Sequence, residues 1–253
     1  MSTTVAADQG YRALNDVATI AQGINYRVIG GHMVQLLLHA YPTAKAQVRL
    51  TADADAGVER QVAASGDLHL SLVAAGYTAV QGNSYQRRVG DEKLSVDLLT
   101  EAGADNSPVE LGGRMFDAAP GLHLALAGEP LRLDVSVSLL SGGSLDFGVH
   151  VPDVSEALVL KALAWDVRMA KRDVSDVNTL LEIVAAHGSS LPAPWPLTDG
   201  RVRHGARKDA ARALHRIAAL NDRGNLHGVS NPARTAALIR RHVLNPDQPA
   251  APE

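Results

Sequence analysis

Three carboxylates stand out by their surroundings. Asp53 and Asp55 occur in the run Ala52-Asp53-Ala54-Asp55, and Asp97 sits in Lys93-Leu94-Ser95-Val96-Asp97-Leu98-Leu99. In an extended strand, residues two apart share a face, so Asp53 and Asp55 project side by side. Adjacent carboxylates repel unless a cation neutralises them, and hard oxygen ligands favour Mg²⁺, with Mn²⁺ as a substitute. Asp97 interrupts an apolar strand, where an isolated aspartate is costly to bury. Three such groups could hold two ions that activate a hydroxyl and align a triphosphate. The competing account is a solvated TADADAG loop with Asp97 on an exposed edge. Asp134 and Asp146, also in strand-like runs, are alternatives to Asp97 as third ligand.

Some twenty residues before the acidic pair, Tyr26–Ile29 reads as a short buried strand running into Gly30-Gly31, where a helix begins. Such a turn lets backbone N–H groups approach a phosphate, and the helix N-terminus adds favourable partial charge. Glycine also serves strand-to-helix turns for steric reasons alone. Further on, Lys161 stands among Leu158, Leu160 and Leu163, an apolar setting where a lysine wants an anionic partner. One account has it reaching the surface to pair with Asp176 or Glu156; in the other it lines a catalytic groove with Arg168 and Asp176. Arg87 and Arg88 are lesser candidates for substrate contact, with an exposed hairpin pair as the plainer account.

Taken together, Gly30-Gly31, a helix, Arg49-x-Thr51-x-Asp53-x-Asp55 and Val96-Asp97-Leu98-Leu99 resemble the core of the DNA polymerase β-type nucleotidyltransferases. The Arg-x-Thr-x-Asp-x-Asp form resembles more narrowly the AbiEii/MenT-like toxins of toxin–antitoxin and phage-defence systems. So does the later block Lys161-Ala162-Leu163-Ala164, Arg168, Lys171-Arg172-Asp173 and Asp176-Val177. The likeness spans roughly residues 20–185. It departs from the wider pattern where many members have Gly-Ser rather than Gly30-Gly31, and where Ala52 and Ala54 replace branched apolar residues.

The resemblance implies a pyrophosphate-releasing transferase that moves a nucleotide from an NTP to an acceptor hydroxyl. Asp53, Asp55 and Asp97 would be its metal ligands, with Gly30, Gly31, Arg49, Thr51 and Lys161 at the nucleotide. Asp176, or its neighbour Asp173, would be a further essential carboxylate. The implied acceptor is the 3′ end of tRNA, and a cognate antitoxin is the implied partner. A small molecule such as an aminoglycoside, or a protein, is the alternative acceptor. A non-catalytic nucleotide-binding module is the reading outside enzymology.

The elements that must position these residues follow from periodicity. Helices are expected through Tyr11–Ala21, His32–His39, Asp67–Ala75, Val154–Ala170, Asp173–His187, Lys208–Leu220 and Pro232–Leu244. Strands are expected over Val48–Val58, over Tyr85–Val89 and Lys93–Leu99 around a Gly90-Asp91 turn, and in three runs between Gly121 and Val151, including LHLALAG. The fold class is α/β (α+β), a mixed sheet with a C-terminal helical region. The expected divisions are a catalytic core with a β extension (1–150), a helical block (151–190), a basic helical region (191–245) after the proline-rich joint Leu191–Pro196, and a disordered tail (246–253).

Composition narrows the alternatives. With 253 residues there is ample material for a buried core, and with no cysteine there are no disulfides, thiolate zinc sites or cysteine nucleophiles. No zinc-protease His-Glu-x-x-His spacing, Gly-x-Ser-x-Gly elbow or Walker A loop occurs. The opening MSTTVAADQGYRAL lacks a basic segment followed by an apolar run, and no stretch reaches membrane-spanning length; a cytoplasmic location is expected. Charge is uneven. Residues 1–200 carry 14 Lys/Arg against 23 Asp/Glu, whereas residues 201–253 carry 10 against 4. Lys208, Arg212 and Arg216 repeat every four residues, a stripe suited to phosphate backbones or to packing on an acidic surface.

Overall fold

A computed structural model describes residues 1–46, 49–103, 105–192 and 195–248. The chain forms two units: residues 1–36 with 49–152, and residues 37–48 with 153–253. Residues 47 and 48, at the start of the expected Val48–Val58 strand, lie outside the described residues. So do residues 193 and 194 of the proline-rich joint and residues 249–253 of the tail.

In the first unit, α1 (Val5–Ile20) is capped by Thr4, whose hydroxyl accepts from the Ala7 amide. It buries Leu14, Val17 and Ala18 at helical spacing. After β1 (Tyr26–Val28), α2 (Gly30–Ala40) starts without a connecting loop. The acidic strand β2 (Asp53–Val58) is shorter than expected. Then come α3 (Arg60–Ser65), α4 (Asp67–Ala74), β3 (Thr78–Gln81), β4 (Ser84–Val89) and β5 (Glu92–Glu101). The short strands β6 (Val109–Leu111), β7 (Arg114–Phe116) and β8 (Ala118–Ala119) follow.

The principal sheet runs β1-β2-β5-β4-β3, with β8 beside β5. It is mixed: β2 and β5 are parallel, while β1–β2, β4–β5 and β3–β4 are antiparallel. Along β2 the buried Ala54 and Ala56 alternate with the exposed Asp53 and half-buried Asp55. The sheet therefore buries one face and shows its carboxylates on the other.

The segment LHLALA, expected as a strand from its leucine alternation, is a helix, α5 (Leu122–Ala127). Gly121 enters it at φ 84°, and Leu122, Ala125 and Leu126 are buried, the i, i+3, i+4 set of a helix. Leu122 fills the space that a side chain at Gly57 of β2 would need. A period of two and a period of 3.6 coincide over so short a run, and packing decided between them. The antiparallel hairpin β9 (Leu131–Ser138) and β10 (Ser144–Val151) is a separate sheet whose Val137 and Leu139 pack with Tyr11 of α1.

The second unit contains α6 (Val154–Arg168), α7 (Lys171–His187), α8 (Gly205–Asp222) and α9 (Pro232–His242). α6 packs on α7 and α8, and α9 packs on α7 and α8. Asp153 caps α6, accepting from the Ser155 and Glu156 amides. The expected fold class, a mixed α/β chain with a mixed sheet and a helical C-terminal region, is the one observed. Among the described residues, no helix is long and apolar enough to cross a membrane.

Candidate active site

Strand pairing brings the sequence-selected carboxylates of the first unit together. Asp55 lies opposite Asp97 in the parallel β2–β5 pair, and Ser84 lies opposite Asp97 in the antiparallel β4–β5 pair. Paired positions point to the same face, so Asp55, Asp97 and Ser84 form one row across three strands, with Asp53 on the same face two residues before Asp55.

The glycine turn sits on this row. Ile29 donates its amide to the Asp55 carbonyl at 3.0 Å, which carries the chain from β1 directly over Asp55. Gly30 has φ +66°, and a Cβ there would overlap the Asp55 carboxylate. A Cβ at Gly31 would come within 2.6 Å of the Arg49 guanidinium and 3.0 Å of Thr51. The two glycines thus have a steric task, and its result is to seat the first turn of α2 against Arg49, Thr51 and Asp55. The amides of a helix N-terminus with a guanidinium beside them suit an anionic ligand.

Electrostatics mark Asp97. Burial pushes its carboxyl above the usual range, and the charges of Asp53 and Asp117 add to the shift, while a 2.5 Å hydrogen bond from Ser84 Oγ opposes it. A carboxylate held against like charges is poised to take up a proton or to be relieved by a cation. The donor set fits a hard divalent ion in kind, all carboxylate oxygen, and in sharing one face. As they stand, the side chains do not converge: among the described residues, no three His, Asp or Glu groups are arranged to hold a metal ion.

Three contributors were not singled out in the sequence: Ser84, Asp117 and His32. Ser84 was within reach of sequence reasoning, because counting outward from the Gly90-Asp91 turn places it opposite Asp97. Asp117 carried no such signal. His32 is fully buried, with its Nδ1–H donating to the Asp53 carbonyl at 3.1 Å. Burial, reinforced by the charge of Arg49, lowers its pKa to about 4. The imidazole is therefore neutral and braces the backbone of the acidic strand. Gly10 of α1 makes room for it, since a Cβ there would lie 2.8 Å from the ring.

Lys161 and Asp176 lie in the second unit, where they meet each other. Lys161 Nζ is 2.7 Å from Asp176 and 3.9 Å from Asp173, with all three side chains buried. Arg168 closes the cluster with a bidentate pair to Asp173, both contacts at 2.6 Å. The pairing of Lys161 with Asp176 was one expected alternative, but it is in the interior and not at the surface.

Other expectations resolve differently. Asp134 and Asp146 belong to the β9–β10 hairpin and not to the sheet that carries Asp53 and Asp55; Asp146 accepts from Ser136 at 2.6 Å. Arg87 is occupied structurally, 2.5 Å from Asp16 and stacked on the Tyr77 ring. Two of the three stripe residues are paired, Arg212 with Asp247 and Arg216 with Asp166, and Arg207 beside the stripe pairs with Glu156.

No family model matches the sequence, and no curated protein does. Among solved structures, the chain is similar to the solution structure of the antibiotic-resistance factor ANT(2'')-Ia, with 12% identity and a TM-score of 0.40. The match covers 85% of this chain and 97% of that one. A likeness of that degree leaves the chemistry to be argued from the residues.

Proposed function

We propose that the protein is a metal-dependent nucleotidyltransferase. The observation that carries the reading is the Asp55–Asp97 row, flanked by Asp53 and overlaid by the Gly30-Gly31 helix start. In this reading the amides of Gly30 and Gly31 and the Arg49 guanidinium bind the triphosphate, with Thr51 beside them. Asp53, Asp55 and Asp97 would hold Mg²⁺, which supplies charge neutralisation at the phosphates when bound. Asp97, at the end of the row beside Ser84, takes the proton of the acceptor hydroxyl. The acceptor oxygen bonds to the α-phosphorus, the bond to the bridging oxygen of the β-phosphate breaks, and pyrophosphate leaves. The family resemblance also assigns Lys161 a phosphate contact and Asp176 an essential role; in this chain the two are buried in the second unit and paired with each other.

The AbiEii/MenT-like resemblance points to the 3′ end of tRNA as acceptor, and to a toxin role with a cognate antitoxin. Its support in this chain is the positive charge of residues 201–253. The self-pairing of Arg207, Arg212 and Arg216 weakens that support, and it favours the small-molecule alternative to the same degree.

The test is incubation of the full chain with each labelled NTP, Mg²⁺ and either total tRNA or a panel of small polyols. Asp53→Ala should lower label transfer by ~10³-fold or more, the loss expected when charge stabilisation at the reacting phosphate is removed. Its melting temperature should hold or rise, because like charge is removed from the row. Transfer by Asp53→Ala at the wild-type rate would reject the assignment.

A further inference from the structure

The turn between α6 and α7 breaks two local rules at one residue. Met169, just past α6, has φ 50° and ψ 32°, the left-handed conformation that glycine usually fills at a helix end. Its side chain is 71% exposed, and Val167 before it is 66% exposed. The Met169 amide donates to the Trp165 carbonyl at 2.6 Å, a bond that glycine would make without the backbone strain. The thioether therefore stands where backbone conformation and solvation both favour its removal. A double cost of this kind points to a contact surface.

The surroundings are cationic. α8 lies along α6 in the same direction, since Arg207 bonds Glu156 near their starts and Arg216 bonds Asp166 near their ends. The chain leaving α8 crosses the turn, for a Cβ at Gly228 would lie 2.5 Å from the Lys171 carbonyl. Arg223, which ends α8, thus shares one end of the second unit with Lys171 and Arg172, which start α7. All three are exposed. Lys171 and Arg172 form no ion pair among the described residues, and Arg223 donates to the Ala219 carbonyl of its own helix at 3.2 Å. The acids at this end are engaged: Asp166 by Arg216, buried Asp173 by Arg168, and Asp222 by Arg240.

Three classes of partner carry the negative charge that such a surface attracts. A nucleic acid backbone is served by the cations alone, and its bases stack on aromatic rings, whereas Val167 and Met169 are aliphatic. A stable protein interface covers ~800 Å² on each side, of which two side chains supply a small part. An anionic lipid leaflet sets a layer of negative charge directly over hydrocarbon and needs no matched pocket. Each basic residue near such a leaflet raises affinity roughly fivefold.

We propose that the α6–α7 turn is a docking tip for an anionic lipid surface. Val167 and Met169 enter the boundary between headgroups and acyl chains, while Lys171, Arg172 and Arg223 meet the headgroup phosphates. Attachment of this kind is peripheral and reversible, and it is independent of the nucleotidyl-transfer reading.

The full-length protein can be floated with vesicles of phosphatidylcholine alone and of phosphatidylcholine mixed with phosphatidylglycerol. It should bind the mixed vesicles and not the neutral ones, and binding should weaken as salt rises. Lys171→Gln with Arg172→Gln should lower partitioning by roughly 25-fold, about fivefold for each cation. Met169→Gly should lower it by roughly fivefold or more while raising the melting temperature, because the left-handed strain is relieved. The chain has no cysteine, so a single one can be introduced and labelled. A polarity-sensitive dye at Met169→Cys should shift to the blue on mixed vesicles. The same dye at Asp209→Cys, about 20 Å from Arg223 along α8, should not.

No partitioning onto mixed vesicles, partitioning that both variants leave unchanged, or an unshifted dye at position 169 would overturn the proposal. A lower melting temperature in Met169→Gly would do the same, by making the side chain structural. Binding to polyuridylate without binding to vesicles would leave a phosphate-binding surface in its place. Sedimentation as a dimer that Met169→Gly abolishes would make the tip an interface between two copies instead.

Discussion

The carboxylate row of the first unit and the Lys161 cluster of the second treat charge in opposite ways. In the second, the buried acids Asp173 and Asp176 each have a cation at hydrogen-bond distance, Arg168 and Lys161 respectively. Buried Glu182 is likewise clasped by Arg234, at 2.5 and 2.7 Å. In the first, Asp97 is set against the charges of Asp53 and Asp117, with a serine hydroxyl to soften the effect. Paired interior charge is a structural solution, stable once made and costly to break. Facing carboxylates are a standing cost that a ligand or a proton relieves, the kind of local inconsistency that marks a functional site.

The contrast can be broken first at Lys161. Lys161→Ala removes the cation 2.7 Å from buried Asp176 and should destabilise the second unit by about 3–5 kcal/mol, visible as a lowered melting temperature or denaturant midpoint. The double change Lys161→Met with Asp176→Leu removes the charges together and should return most of that stability. If the double variant folds and still transfers nucleotide at the wild-type rate, Lys161 is structural only. If it folds and is inactive, the family-derived role gains its first support from this chain.

A second, somewhat smaller effect belongs to the first unit. His32 is neutral when folded, with a pKa of about 4 against an ordinary 6.5. Unfolding lets it take up a proton below pH 6.5, so its contribution is complete above that pH. It is lost as pH falls toward 4, to the extent of roughly 3 kcal/mol. Thermal melts across this range should show the slope. His32→Asn, whose amide can still donate to the Asp53 carbonyl, should flatten it. An equally steep slope in the variant would assign the acid sensitivity to other groups.

The smallest effect is expected at the basic stripe. Arg212→Glu with Arg216→Glu disrupts two exposed pairs and should leave the melting temperature nearly unmoved, since such pairs contribute little. If these arginines only pack within their own unit, tRNA affinity and its salt dependence also stay unchanged. A weaker, flatter salt response would restore the stripe as an RNA contact.

Much of the architecture was legible because long amphipathic helices and an alternating acidic strand carry strong periods. Tyr11, Leu14, Val17 and Ala18 mark α1 clearly, and Asp53-x-Asp55 declared its own face. What escaped was short or non-local. β6 and β7 are three residues each and β8 two, below the length at which alternation is visible. LHLALA fits either period until its packing partner, Gly57, is known. Lys161 could be seen to need an anion, but whether it met Asp176 inside or at the surface depended on how α6 and α7 are covered. Asp117 reaches Asp97 only because β8 returns to the β5 edge, and no local pattern announces that.

The parallel pairing of Asp53–Val58 with Ser95–Thr100 has a bearing on how the molecule comes into being. Asp97 and Ser84 meet across a two-residue turn, a contact that forms early and cheaply. Asp55 reaches Asp97 only after some forty intervening residues have been organised, and such distant strand pairings are slow to close. Loop closure therefore favours the Ser84–Asp97 half of the row ahead of the Asp55 half. A partly folded molecule would hold half of the row, so an assay of the row's chemistry during refolding would lag behind the return of helical signal.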